Sequence, residues 1–217
     1  MPSRVIEKFF SYAYHIFFKQ AGTKIRAGLL KNLMDKLFIL FEKIGKKFDI
    51  ISSNYLKLYH EMVEKEIKMA KINSDDLVLV IGCGSLPTTT VLISMKTGAN
   101  IVSVDIDKKS IREAAQYIKN LHLGDKIKLE HANGLNYSVK NFDVIFVLYG
   151  TTKQEEMLEY LASNMGKNSR IIFRTATDLQ DKMHKGHIDL SKYFLVRDST
   201  LSGSFASIES YLLLKKQ

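Results

Sequence analysis

The clearest chemical signal in this chain is a glycine turn followed, one strand later, by a carboxylate. Val78-Leu79-Val80-Ile81-Gly82-Cys83-Gly84-Ser85-Leu86-Pro87 reads as a buried strand that runs into a tight turn and then a helix. Gly82 and Gly84 permit that turn and let a ligand approach the backbone with no Cβ in the way. Pro87 suits the first turn of a helix, where its missing N–H costs nothing. Asp105 ends the next strand, 21 residues after Gly84, and a carboxylate there can accept both ribose hydroxyls of an adenosine. This register predicts a nucleoside-bearing cofactor held by Gly82, Cys83, Gly84, Ser85, Pro87 and Asp105.

The loop also discriminates between cofactors. Nicotinamide-binding loops prefer a third small residue so that the helix N-terminus can hold a pyrophosphate. Here Pro87 takes that place, and S-adenosylmethionine has no phosphate to hold. Tyr149-x-x-x-Lys153 has the spacing of a short-chain dehydrogenase pair, but no matching glycine pattern stands at the N-terminus. No G-x-x-x-x-G-K-[ST] loop and no clustered Cys/His set occurs, and the closest histidine pair is His184/His187. S-adenosylmethionine is therefore the expected cofactor, with no metal.

The elements that must position these residues fall into two textures. Residues 1–73 carry no proline after Pro2, and their apolar residues recur at helical spacing. Leu29, Leu30, Leu33, Leu37, Leu40, Phe41 and Ile44 form one stripe, and Tyr55, Leu58, Tyr59, Met62 and Ile67 lie near another. This predicts an all-helical cap that folds over the cofactor. From residue 74 onward, short β-branched runs at Leu77–Ile81, Ile101–Val104, Ile127–His131, Asp143–Leu148 and Arg170–Arg174 alternate with helix candidates. Those candidates are Thr88–Lys96, Lys109–Leu121 and Lys153–Asn164. Strands alternating with helices predict a Rossmann-like, doubly wound α/β domain over residues 74–217. Tyr193–Arg197 and Ile208–Leu214 flank a Ser/Gly-rich turn and read as an antiparallel hairpin closing the sheet. That ending distinguishes methyltransferase-like folds from nicotinamide-binding ones.

Composition sets the outer limits. Hydrophobic residues at 46% and charged residues at 25% describe a globular chain and exclude disorder. The net charge is +9, and residues 1–75 carry 14 Lys and Arg against 8 Asp and Glu, so most of the excess lies in the cap. Nucleic acid, an anionic membrane surface or a solvated lysine face would each account for it. A single cysteine, Cys83, excludes an internal disulfide framework and fits a reducing cytoplasm. No apolar run reaches the roughly 18 residues of a membrane span, and the greasy start Phe9–Phe18 reads as helix rather than signal peptide.

Residues 78–214 resemble the Rossmann-type domain of class I S-adenosylmethionine-dependent methyltransferases, and within it most of all nicotianamine synthases. The resemblance rests on Gly82-Cys83-Gly84-Ser85-Leu86-Pro87, on Asp105-Ile106-Asp107, on Phe142–Phe146 and on Ile171–Ala176, with a short echo at Asn54-Tyr55-x-x-Leu58. It implies that Ile106 joins the cofactor site and that Asn133 and Gly134, after the third strand, meet the adenine edge. It further implies that Leu148 and Tyr149, ending the fourth strand, face the reacting carbon, with Tyr149 the first-choice catalytic side chain. Arg174 would bind a substrate carboxylate or form a surface ion pair. Tyr55 and Glu61 are the cap residues placed nearest the chemistry. One departure stands out: the synthases present a glutamate where this chain has Met62, one position after Glu61.

The synthases move an aminocarboxypropyl group to an amine, whereas most relatives of this fold move a methyl group. With the glutamate displaced, the leading expectation is methyl transfer to a small-molecule acceptor. Aminocarboxypropyl transfer giving a nicotianamine-like metallophore is the alternative. A cofactor-binding regulatory or RNA-associated module using the basic cap is the third reading, and a homodimer is left open.

Overall fold

The computed structural model describes residues 49–148, 151, 153–176, 188–201 and 208–216. The stripe at Leu29–Ile44, the Tyr149–Gly150 pair, His184/His187 and the hairpin turn at 202–207 lie outside these residues. The elements are α1 (Asp49–Ala70), β1 (Leu77–Ile81), α2 (Thr88–Thr97), β2 (Asn100–Asp105), α3 (Lys108–Asn120), β3 (Ile127–His131) and β4 (Val144–Val147). They continue with α4 (Gln154–Asn164), β5 (Arg170–Ala176), α5 (Leu190–Tyr193), β6 (Phe194–Leu201) and β7 (Ile208–Lys215).

The strands form one seven-stranded sheet in the order β3-β2-β1-β4-β5-β7-β6. β1 to β5 are parallel, while β7 runs antiparallel between β5 and β6. The expected hairpin is therefore present, with an irregularity between Val196 and Asp198. Burial on both faces explains the unbroken apolar runs of β1 and β4, because a covered parallel strand has no solvent side to mark with polar residues. Val78, Val80, Val144, Phe146 and Ile172 face one layer, with Met62 and Val63 of α1 and Ile93 of α2. Leu79, Ile81, Ile145, Val147, Ile171 and Phe173 face the other, with Leu158 and Leu161 of α4.

The described C-terminal part of the cap, α1, packs into the core of the sheet. Met62, Val63 and Ala70 of α1 share a core cluster with the sheet, and Glu66 is fully buried. At these described residues, the helix before residue 73 and the sheet after it share one core. Two arginines of β5 hold this helix. Arg170, at the start of the strand, donates to the carbonyls of Ala70 (2.6 Å) and Lys71 (3.2 Å) and pairs with Asp76. Arg174, four residues further along the strand, grips the other end of the described stretch at Glu66 and Tyr59.

Local signals fix the crossover helices. Pro87 sits at the N-cap of α2, one position before its first helical residue, and Gly98 closes the helix in the left-handed conformation at φ 72°. Asp107 caps α3, its carboxylate accepting from the backbone N–H of Lys109 (2.9 Å) and from the backbone N–H and hydroxyl of Ser110. These bonds, the Lys109 N–H foremost, hold the Asp107 carboxyl below the usual carboxylate range. Asp107→Ala is expected to lower stability by about 1 kcal/mol in urea unfolding at neutral pH. Because the folded pKa lies below the unfolded value of roughly 3.9, that stabilisation is present above it and fades as pH falls through the folded pKa. The gap between parent and variant should thus shrink at low pH, and a constant gap would contradict the cap.

Candidate active site

The carboxyl ends of β1, β2 and β4 meet at the glycine loop. As β1 ends, Gly82 and Cys83 both donate backbone N–H groups to the carbonyl of Val104, at 2.8 and 3.3 Å. Gly82 and Gly84 take φ values of 83° and 71°, a region where a side chain is strained, so the turn requires glycine at both positions. The Gly84 N–H then donates to Asp105 Oδ2 at 2.8 Å, while Oδ1 accepts from Asp107 at 3.0 Å. Asp105 is buried and so fixes the loop's shape as well as marking the end of β2. A carboxylate can accept about four hydrogen bonds, so holding the loop and holding a ligand are compatible tasks.

The neighbouring predicted residues gather around the same point. Cys83 and Ser85 are buried in the loop, and Ile106, just beyond Asp105, is 68% exposed. An isoleucine so exposed on the rim offers an apolar face beside the buried carboxylate. Gly134 is buried against β1: a Cβ there would lie 2.5 Å from Ile81 Cγ2, so the chain after β3 passes too close for any side chain. Asn133 is exposed, and its Oδ1 accepts from the Leu135 N–H at 3.0 Å, an Asx turn that shapes the loop. Leu148 is buried and donates its N–H to the Ile81 carbonyl at 3.2 Å, tying the end of β4 to the end of β1. Beyond it, Thr151 Oγ1 is buried without a hydrogen-bond partner among the described residues. A cradle of Cβ-free backbone, a buried carboxylate and an exposed apolar rim fits an adenosine-bearing ligand.

The catalytic expectations fare unevenly. Tyr149 lies outside the described residues, and Tyr55 falls in α1 before its first described side chain. Glu61 is exposed, about 200° around the helix from Tyr59 at 100° per residue, whereas Met62 is buried in the core. Arg174 forms neither a surface pair nor an open anchor. It is 3% exposed, and its four hydrogen bonds go to Glu66 Oε1 (2.7 Å), Glu66 Oε2 (2.6 Å), Tyr59 Oη (3.1 Å) and Thr89 Oγ1 (3.0 Å). Burial alone would depress its pKa, but the Glu66 carboxylate and Tyr59 raise it above the ordinary value, so the guanidinium stays charged.

Sequence reasoning missed Glu66 and Tyr59 as a pair. A signal existed: Tyr59, Met62, Val63, Glu66 and Ala70 follow helical spacing, which puts one carboxylate on an apolar stripe. A charge there needs a partner, and the only way to find it is to know which strand faces the helix.

The family described as Spermine/spermidine synthase domain matches residues 56–161, just under half of the chain, from within α1 to within α4. The solved structure of MtNAS in complex with MTA and tNA aligns with 96% of this chain and 82% of its own, at 21% identity and a TM-score of 0.72. A variant of MtNAS in complex with S-adenosylmethionine gives a TM-score of 0.67 at 20% identity, covering 74% of this chain and 63% of its own. The chain has the Rossmann-like fold of class I methyltransferases. Among curated proteins, the chain is 25% identical over 129 residues to an L-histidine 2-aminobutanoyltransferase of Yersinia pestis, covering 59% of this chain. The corresponding protein of Pseudomonas aeruginosa is 32% identical over 62 residues. The chain spans about half the length of the first of these relatives and a quarter of the second. Among the described residues, no helix is long and apolar enough to cross a membrane, and no group of acidic, His and Cys side chains is arranged to hold a metal.

Proposed function

We propose that this chain binds S-adenosylmethionine at the carboxyl edge of β1 and β2 and transfers its aminocarboxypropyl group to an amine of a small molecule. The observation that carries the reading is the unbroken family match from α1 to α4, because it ties the cap helix to the cofactor loop as one unit. The same group-transfer chemistry is named in the Yersinia pestis relative, and MtNAS aligns through α1 as well. Bound there, S-adenosylmethionine supplies a sulfonium whose attached carbons are electrophilic. Gly82–Pro87 and Asp105 hold the nucleoside, Ile106 covers the adenine face, and Asn133 and Gly134 shape the adenine end. Leu148 follows β4, on the side where the reacting carbon would lie, and Tyr149, next to it in sequence, is the first-choice catalytic side chain. The protein's main task is orientation in a water-poor cleft, with removal of the amine proton as the further need.

Methyl transfer is the second reading, and Met62 favours it. An apolar side chain buried in the core stands where the synthase resemblance has a glutamate, and Glu61 faces away. Product analysis separates the two. The full chain is incubated with S-adenosylmethionine and a panel of amines that includes L-histidine, and the nucleoside product is identified by mass spectrometry. Methylthioadenosine released in step with acceptor consumption is expected. S-adenosylhomocysteine in its place would establish methyl transfer instead.

A further inference from the structure

The Glu66–Arg174 cluster lies away from the nucleoside loop, yet it joins the cap helix to the helix that the loop begins. Arg174 binds both carboxylate oxygens of Glu66 in a fork, an arrangement that fixes distance and angle together. Its remaining nitrogen reaches Tyr59 and Thr89, whose hydroxyls are themselves 2.6 Å apart. Ser210 of β7 donates to Glu66 Oε1 at 2.6 Å, so four elements (α1, α2, β5 and β7) meet at one ion pair. The guanidinium also stacks at 5.6 Å over the Tyr59 ring and 6.0 Å over the Phe146 ring.

Replacing such a pair by apolar residues is often neutral for stability, so burial energy alone does not account for it. Its geometry shows what else it does. Arg170 pins the C-terminal end of α1 at the start of β5, and Arg174 pins Tyr59 and Glu66 four residues further along the strand. The helix thus runs antiparallel to β5, and its residues before Tyr59 continue toward the carboxyl edge of the sheet. Thr89 lies in the first turn of α2, directly after the glycine loop. With Asp105 and Ile106, on the β2 side of β1, taking the ribose and adenine as proposed above, the rest of the ligand would extend toward β4, β5 and α1.

We infer that Arg174 is a positioning residue: by gripping Glu66, Tyr59 and Thr89 it fixes the height of α1 over the cleft, so that the cap meets the methionine arm of the ligand. The inference rests on the proposed S-adenosylmethionine site. It predicts that the cluster matters for a ligand with that arm and not for one without it.

The test compares S-adenosylmethionine with methylthioadenosine, which keeps the adenosine and lacks the aminocarboxypropyl arm. The full chain is changed by Glu66→Leu together with Arg174→Met, which removes both charges at once and avoids stranding either. In calorimetry the paired variant should bind S-adenosylmethionine at least tenfold more weakly, while its affinity for methylthioadenosine stays within threefold of the parent. Arg174→Lys, which keeps the charge but not the fork, should fall between the two. Backbone hydrogen exchange at residues 59–63 should quicken at least tenfold in the paired variant, with residues 67–70, held by Arg170, unchanged. Equal loss for both ligands, or no loss for S-adenosylmethionine, would overturn the inference. If the parent itself binds neither ligand, the proposed function fails on its own, and the exchange pattern alone still decides whether Arg174 sets the helix.

Discussion

Glu66→Ala is expected to cost about 3–5 kcal/mol, a large share of the roughly 5–15 kcal/mol that separates a folded domain from its unfolded chain. Glu66 is fully buried and Arg174 is 3% exposed, so removing the carboxylate leaves a guanidinium in the core with its fork empty. Ser210 loses its acceptor in the same step. A guanidinium keeps its proton at neutral pH even without its carboxylate partner, so deprotonation does not relieve the stranded charge. The loss should appear as a lower urea midpoint with little change in slope. Adding Arg174→Met to Glu66→Ala should recover part of it, because the stranded charge causes most of the damage. A single variant within about 1 kcal/mol of the parent would show that water or another group satisfies Arg174, and that the pair does not hold α1 to the sheet.

Asp105→Ala should weaken S-adenosylmethionine binding ten- to a hundredfold or more. The ten- to hundredfold range comes from losing one hydrogen bond to a charged acceptor, about 1.5–3 kcal/mol. The structure adds a second cause, because Asp105 Oδ2 also receives the Gly84 N–H at 2.8 Å. Without it the loop loses one of the contacts that hold its positive-φ turn against β2, and keeps its backbone bonds to Val104. Asp105→Asn separates the two causes: the amide oxygen can still accept from Gly84, while the charge toward the ribose is gone. The asparagine variant is expected to bind better than the alanine variant and worse than the parent. Calorimetry with S-adenosylmethionine and with NAD reads both effects. Unchanged affinity in Asp105→Ala, or tighter binding of NAD by the parent, would remove the ribose role.

The division between sequence and tertiary structure follows the range of the interactions. Crossover helices and parallel strands are local, so β-branched runs and helical spacing placed β1 at Leu77–Ile81 and β3 at Ile127–His131, as found. The glycine turn was legible because positive φ at Gly82 and Gly84 is a property of single residues. The carboxylate of Asp105 was legible because a strand end is a fixed place in a βαβ unit. The hairpin carried its own signal in a Ser/Gly-rich turn between two β-branched runs. What the sequence could not decide was which side of α1 faces the sheet. The helix has glutamates at 61, 64 and 66, and periodicity alone gives each a face without naming the surface opposite. Only the fold sets Glu61 toward solvent and Glu66 against Arg174, across 108 residues of chain. The same holds for Arg174, whose place at the end of β5 reads as exposed until α1 and β7 cover it. Contacts made across the sheet depend on how the layers stack, and that is decided by packing the whole chain at once.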